Sequence, residues 1–374
     1  MANIKLTHTY PQESFKLLEL SPELLDLLSS QKEGQKPKLY LKSPASLPDE
    51  GNALPLPAGS PANEMFVNLC TDDKTFFLRQ VSSSNSTLMI RPRMGRKTAS
   101  DADIMEEDDK GTEAGCSIIA SCKGQLEVMN TPGWYDGKPF LTRALKVWDI
   151  PSDGDLRMND SYLDDDDVKS HIHSVRKLFD DIPVSLKECI RDWIAVCGFV
   201  QLDESDAGAE FLNCYRPSAS ARLAVWRKVI EASILADIYL CEEFLVPDLW
   251  TAILDGEGGT APFPRPVFEA VVKCCCSPEL TTVEELCREM KWGCLDKATT
   301  IPWTGLALLE ASAPRLISAI DMDLFIMKWK DLLPEKWRSD ATLDKIKGNY
   351  KKTVDGEKIY LHVTMDKTIK KGKK

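Results

Sequence analysis

Lys345, Asn349 and Lys352 recur at i, i+4 and i+7, a spacing that gathers side chains on one face of an α-helix. On the opposite side, Leu343, Ile346 and Tyr350 supply an apolar stripe. A helix packed by that stripe would hold two ammonium groups and an amide outward, as a recognition helix does in a groove of DNA. Lys351 lies beside the set, Lys358 follows the Asp355-Gly356 pair, and Lys367 begins a lysine-rich tail. From Arg338 to Lys374 there are eleven basic and five acidic residues, a local charge of +6 in a chain whose total is −11. These six residues, Lys345, Asn349, Lys351, Lys352, Lys358 and Lys367, are the candidate DNA contacts. With no arginine on the expected helix, reading of guanine is weak. Phosphate binding of non-specific strength, Kd on the order of 10⁻⁴ to 10⁻⁶ M, is the expectation.

Other reactive side chains do not form a known constellation. Cys274, Cys275 and Cys276 are adjacent, with Cys287 and Cys294 downstream, but three consecutive residues of a helix cannot all face one tetrahedral ion. They read as packing residues. His171 and His173 diverge on a predicted helix and read as surface residues. Gly256 to Ala261 fits a loose GxGxxA pattern but follows a helical segment and runs into Pro262, so neither the strand nor the helix of a dinucleotide site is available. Asp164 to Asp167 suit the positive end of a helix dipole better than a magnesium ion. Phosphate-loop, HExxH and GxSxG patterns are absent. No catalytic residue, metal or cofactor is expected.

The elements that would position the lysines come last in a modular chain. Asp323 to Leu333 reads as an amphipathic helix ending at Pro334, Ser339 and Asp340 cap the next, and Val354 to Glu357 is an Asp-Gly hairpin turn returning along Lys358 to Thr364. The order is helix, helix, wing. A similar order precedes it: helices over Val168 to Phe179 and from Pro183, then strands at Phe199 to Leu202 and Phe211 to Tyr215. Leu223, Trp226, Ile230 and Ile234 open a middle module, which has a capping box at Thr282 to Glu285 and a helix stop at Gly293. The first 150 residues read as short strands, at Lys38 to Leu41, Met65 to Cys70, Thr75 to Val81, Thr87 to Ile90, Cys116 to Ala120 and Gln125 to Met129. One helix, opened by Ser21-Pro22-Glu23, interrupts them.

The expected fold is α+β: a β-rich partial barrel with open edges that invite pairing with another chain, followed by three helical modules, the first and last in winged-helix order. The boundaries are 1–148 for the β-rich module, 149–160 for an acidic linker, and 161–216, 217–315 and 316–374 for the three helical modules. The sequence has no apolar run long enough to span a membrane, and Met1 to Tyr10 lacks the apolar core of a signal peptide. Reduced thiols and a cytosolic or nuclear location are expected.

Phe15 to Leu20, Leu24 to Leu28, Val67 to Arg79 with Ser84-Asn85-Ser86, and Asp323 to Trp329 together resemble the defective in sister chromatid cohesion family, a subunit of the alternative, chromosome-transmission-fidelity clamp loader. The resemblance implies a non-enzymatic subunit in the nucleus, with a partial barrel that partner chains complete and three tandem winged helices, at 161–216, 217–315 and 316–374. Its β-region would join the large and small chromosome-transmission-fidelity subunits, beside the replication factor C small subunits. Its winged helices would reach the catalytic subunit of DNA polymerase epsilon and DNA. The implied output is loading of the sliding clamp PCNA and sister chromatid cohesion. The alternative is a free-standing winged-helix transcription regulator, which would select DNA by sequence.

Overall fold

The structure is a computed structural model that describes residues 5–29, 38–43, 67–93, 115–133, 135–151, 165–204, 210–259, 262–355 and 358–364. The chain divides into two compact units that meet in sequence at Gly133 and Trp134.

The first unit is one sheet and one helix. Its elements are β1 (Lys5–His8), β2 (Leu17–Glu19), α1 (Pro22–Ser29), β3 (Tyr40–Lys42), β4 (Val67–Cys70), β5 (Thr75–Arg93) and β6 (Gly115–Asn130). The sheet order is β1-β6-β5-β4-β3, with β2 also paired to β6. Both β1 and β2 run parallel to β6, in registers Lys5↔Gly115 and Leu17↔Gln125. The described strands leave the sheet open and form no closed barrel. Leu24 of α1 packs on Leu69, Phe76, Leu78 and Val128 as a small core. Between β4 and β5, the Thr71 amide donates to the Lys74 carbonyl at 2.9 Å, closing a tight turn.

Two expected breaks between strands are absent. The serines at 82–86 do not separate two strands, nor do residues 121–124: β5 and β6 run through both positions. Between Ser82↔Gly124 and Thr87↔Cys122 the longer strand spends four residues where its partner spends one. This irregularity bends the ribbon without breaking the ladder. Gly124 permits it, because a Cβ there would lie 2.6 Å from the Val81 carbonyl oxygen. Serine clusters imitate turns locally, but the pairing on either side outweighs that preference.

The second unit begins with α2 (Lys138–Ala144), β7 (Lys146–Trp148), α3 (Asp165–Asp181), α4 (Leu186–Ala195), β8 (Phe199–Glu204) and β9 (Glu210–Pro217). Here the sheet order is β7-β9-β8. β7 precedes the acidic linker in sequence yet pairs with β9 beyond it. Helix α4 starts after Pro183, at a capping box in which the Glu188 amide donates to Ser185 Oγ at 3.3 Å and the Ser185 amide donates to Glu188 Oε2 at 3.1 Å. The middle stretch holds α5 (Ala219–Leu235), β10 (Phe244–Leu245), α6 (Val246–Gly256), α7 (Arg265–Cys276), α8 (Val283–Cys287), β11 (Trp292–Gly293) and α9 (Lys297–Ser312). Gly293 is not a helix stop. It pairs with Phe244, and a Cβ would sit 2.7 Å from that ring. The last stretch is β12 (Ile320–Asp321), α10 (Met322–Asp331), β13 (Tyr350–Asp355) and β14 (Lys358–Val363), in the order β12-β14-β13.

One continuous core runs from Trp148 to Leu361 around α5, α7 and α9. Two indoles fasten its parts: Trp226 Nε1 donates to the Leu332 carbonyl at 2.8 Å, and Trp329 Nε1 to the Ile301 carbonyl and Thr304 Oγ1, each at 3.1 Å. A second core gathers Phe140, Leu141, Phe179 and Trp193, and takes Val283 and Leu286 from α8.

Candidate nucleic-acid interface

Helix α10 is built as its sequence predicts. Asp321 caps it by accepting from the Asp323 and Leu324 amides at 3.1 Å each, and Phe325 and Trp329 face the core. Beyond it the chain departs from expectation. Leu343–Ile346 is a short 3-10 turn and Tyr350 already belongs to β13. The recognition helix that would have carried Lys345, Asn349 and Lys352 on one face is absent. Gly348 takes a positive φ of 93°, a conformation that ends a helix and that glycine adopts without steric cost. The Asn349 amide donates to the Ile346 carbonyl at 3.1 Å, closing the turn. The apolar residues still reach the interior: Ile346 is buried, and Leu343 and Tyr350 pack against the core.

The lysines consequently stand on a turn and a hairpin. Lys345 closes the 3-10 turn, and Asn349 follows Gly348, its side-chain amide directed at the Ile346 carbonyl at 3.5 Å. Lys351 and Lys352 lie opposite His362 and Leu361 of β14, and Lys358 faces Asp355 across the turn. Successive strand residues project to opposite faces, so Lys351 and Lys352 diverge. Lys352 Nζ lies 5.8 Å from the Tyr350 ring centroid, a cation–π contact along the strand. All four lysines are exposed, and none forms an ion pair among the described residues. β13 is the outer strand of its sheet. Lysine on such an edge opposes strand addition and leaves the ammonium groups available to phosphate. Lys367 lies outside the described residues.

Histidine and cysteine fall differently from one another. His173 is exposed as expected, but His171 is buried, contrary to its reading as a surface residue. The helix places position 171 on the same side as Val175, which is fully buried. All twelve thiols are free. Cys274 and Cys275 are buried in α7, and burial pushes the Cys276 thiol up to about 12 and the Cys287 thiol to about 11. Cys197 is held lower, chiefly by a hydrogen bond with the Cys274 thiol, yet it is wholly enclosed. Among the described residues no group of three or more metal-ligating side chains converges.

A family model described as Sister chromatid cohesion protein Dcc1 matches residues 15–365. The chain belongs to the Dcc1 family. A curated Dcc1 relative, Sister chromatid cohesion protein DCC1 of Saccharomyces cerevisiae, is 23% identical over 360 residues, covering 95% of this chain and 82% of the relative. The Dcc1 match takes in Lys345 to Lys358 and ends before Lys367. It also includes the Val67 to Arg79 stretch, which forms β4, the tight turn and the start of β5.

Proposed function

We propose that this chain is a non-catalytic adaptor in sister chromatid cohesion, a subunit of the alternative clamp loader that links the loader to DNA polymerase epsilon and to DNA in the nucleus and supports PCNA loading. Family membership supports the cohesion role. The open first sheet supports assembly with the large and small chromosome-transmission-fidelity subunits, next to the replication factor C small subunits: its outer strand β3 leaves Tyr40 43% and Leu41 67% exposed, apolar groups that a partner strand would cover. The helices and hairpins of the second unit, with β7 beside β9 and β12 beside β14, support a winged-helix reading in which β13 and β14 are the last wing.

DNA contact rests on one observation, the exposed lysines of the last turn and hairpin, which have no carboxylate partner among the described residues. Because Lys351 and Lys352 diverge, one duplex engages one of them, and Lys345 adds a second phosphate contact. Replacing Lys345, Lys351 and Lys352 together by glutamine should flatten the log–log salt dependence of duplex binding by about 1.8, at roughly 0.9 per contact. Of Lys351→Gln and Lys352→Gln made singly, one should flatten the slope by about 0.9 and the other hardly at all. Fluorescence anisotropy of the full chain on duplexes of differing sequence measures both slope and preference. An unchanged slope overturns the assignment, and strong discrimination between sequences favours a transcription regulator.

A further inference from the structure

A cavity of about 140 Å³ opens between α3, α7 and α8. Its floor is apolar, formed by Val175, Trp193 and Phe199, all buried. Its wall is charged. Arg265 Nε donates to Glu269 Oε1 at 2.9 Å, the Met290 amide donates to Glu269 Oε2 at 3.2 Å, and Arg265 Nη2 reaches Glu289 at 3.2 Å. Both oxygens of Glu269 are thereby engaged. Lys273 is not so supplied: its Nζ donates to the Leu286 carbonyl at 2.9 Å, one acceptor for three N–H groups among the described residues. Burial pulls the Lys273 pKa below its ordinary value, with the Glu269 charge opposing. Arg288, exposed at the rim, has no ion pair among the described residues.

We propose that this cavity is a docking site for an acidic peptide of a partner protein, with a carboxylate accepting from Lys273 and Arg288 and a neighbouring apolar side chain on the floor. Size and charge select that ligand. A cavity near 150 Å³ holds a benzene-sized group, the scale of one side chain. A phosphate dianion is a poorer occupant, because its second charge meets Glu269 and Glu289 more strongly than a single carboxylate does and it covers none of the apolar floor. The site shares no residue with the lysine turn and hairpin, so it stands or falls separately from DNA binding.

The test uses the full chain and a short fluorescein-labelled peptide with Glu-Leu pairs in a Gly-Ser background. By anisotropy the Glu-Leu peptide should bind about tenfold or more tightly than its Gln-Leu counterpart, the loss of one charge-assisted bond. Lys273→Met should lose the same factor, as should Ala270→Leu, which fills the cavity without altering charge. Lys351→Gln should bind the peptide as the unmodified chain does. Equal affinity for the two peptides overturns the proposal, and because it is read on the unmodified chain it decides even if a variant misfolds. So does undiminished binding by folded Lys273→Met, or a duplex oligonucleotide binding in a Lys273-dependent manner where the peptide does not.

Discussion

Replacing Gly305 by alanine places a methyl group 2.6 Å from Cε2 and Cζ2 of Trp329, where α10 docks on α9. Alanine in a helix gains roughly 1 kcal/mol over glycine, whereas overpacking a filled core costs about 1–3 kcal/mol. Gly305→Ala should therefore destabilise by about 1 kcal/mol, although the same exchange at an exposed helical site would stabilise. Trp329→Phe removes the indole N–H that serves Ile301 and Thr304, at about 1 kcal/mol. That figure is at the low end because Thr304 Oγ1 keeps a bond to the Thr300 carbonyl. The two ring carbons also lost and the space left behind add about 1–2 kcal/mol, for a total of about 2–3. Cζ2 and Cη2 lie in the outer part of the indole that phenylalanine lacks, so the alanine methyl gains part of the space the variant has vacated. The double variant should be about 1–2 kcal/mol more stable than the sum of the single effects. Urea unfolding followed by far-UV circular dichroism reads the cycle, since the helices of the second unit dominate that signal. Additivity within about 0.5 kcal/mol would refute this account of the seam.

Leu41→Asp, on an exposed edge, should change stability by less than about 0.5 kcal/mol while abolishing co-purification with partner chains; an intact complex would show that β3 is not the paired edge. Ser185→Ala removes the cap of α4 and should cost about 1–2 kcal/mol in urea unfolding. The Asp136 carboxyl is raised above the ordinary 3.8, first by burial and then by the Asp192 charge. Its protonated form is thus the better accommodated, and the stability it contributes is full below pH 3.8 and lost as pH rises through the raised value. Asp136→Asn should accordingly stabilise the chain at pH 7 and make little difference near pH 3.5, as compared by urea midpoints at the two values.

Capped helices were the most legible parts of the sequence. Ser21-Pro22, the box from Thr282 to Glu285, and Asp321 ahead of a Phe325 and Trp329 face all mark helices where they form. A hairpin joins β13 and β14 where the sequence places one, with Asp355 still in β13 and paired with Lys358, and residues 356–357 lie outside the described residues. The candidate DNA site was legible in composition but not in shape. Leu343, Ile346 and Tyr350 fit a helical period, and the overlooked signal was Gly348, four residues ahead of Lys352. Long-range placement left no trace: nothing local says that His171, Lys273 and Arg288 border one cavity, or that serines 82–86 belong to a strand held by partners forty residues away.

The parallel pairing of β1 with β6 also orders events in time. Lys5 meets Gly115, so the earlier strand must wait for its partner to be synthesised, an interval of roughly 6 to 22 s at 5–20 residues per second. During that wait β1 and β2 have no sheet to join, and Leu6 and Leu18 remain apolar groups in search of a surface. The contact is also among those that loop-closure entropy delays most. This sheet is therefore where newly made chains are most exposed to wrong partners, and where a chaperone or a co-translated subunit would have the greatest effect on yield.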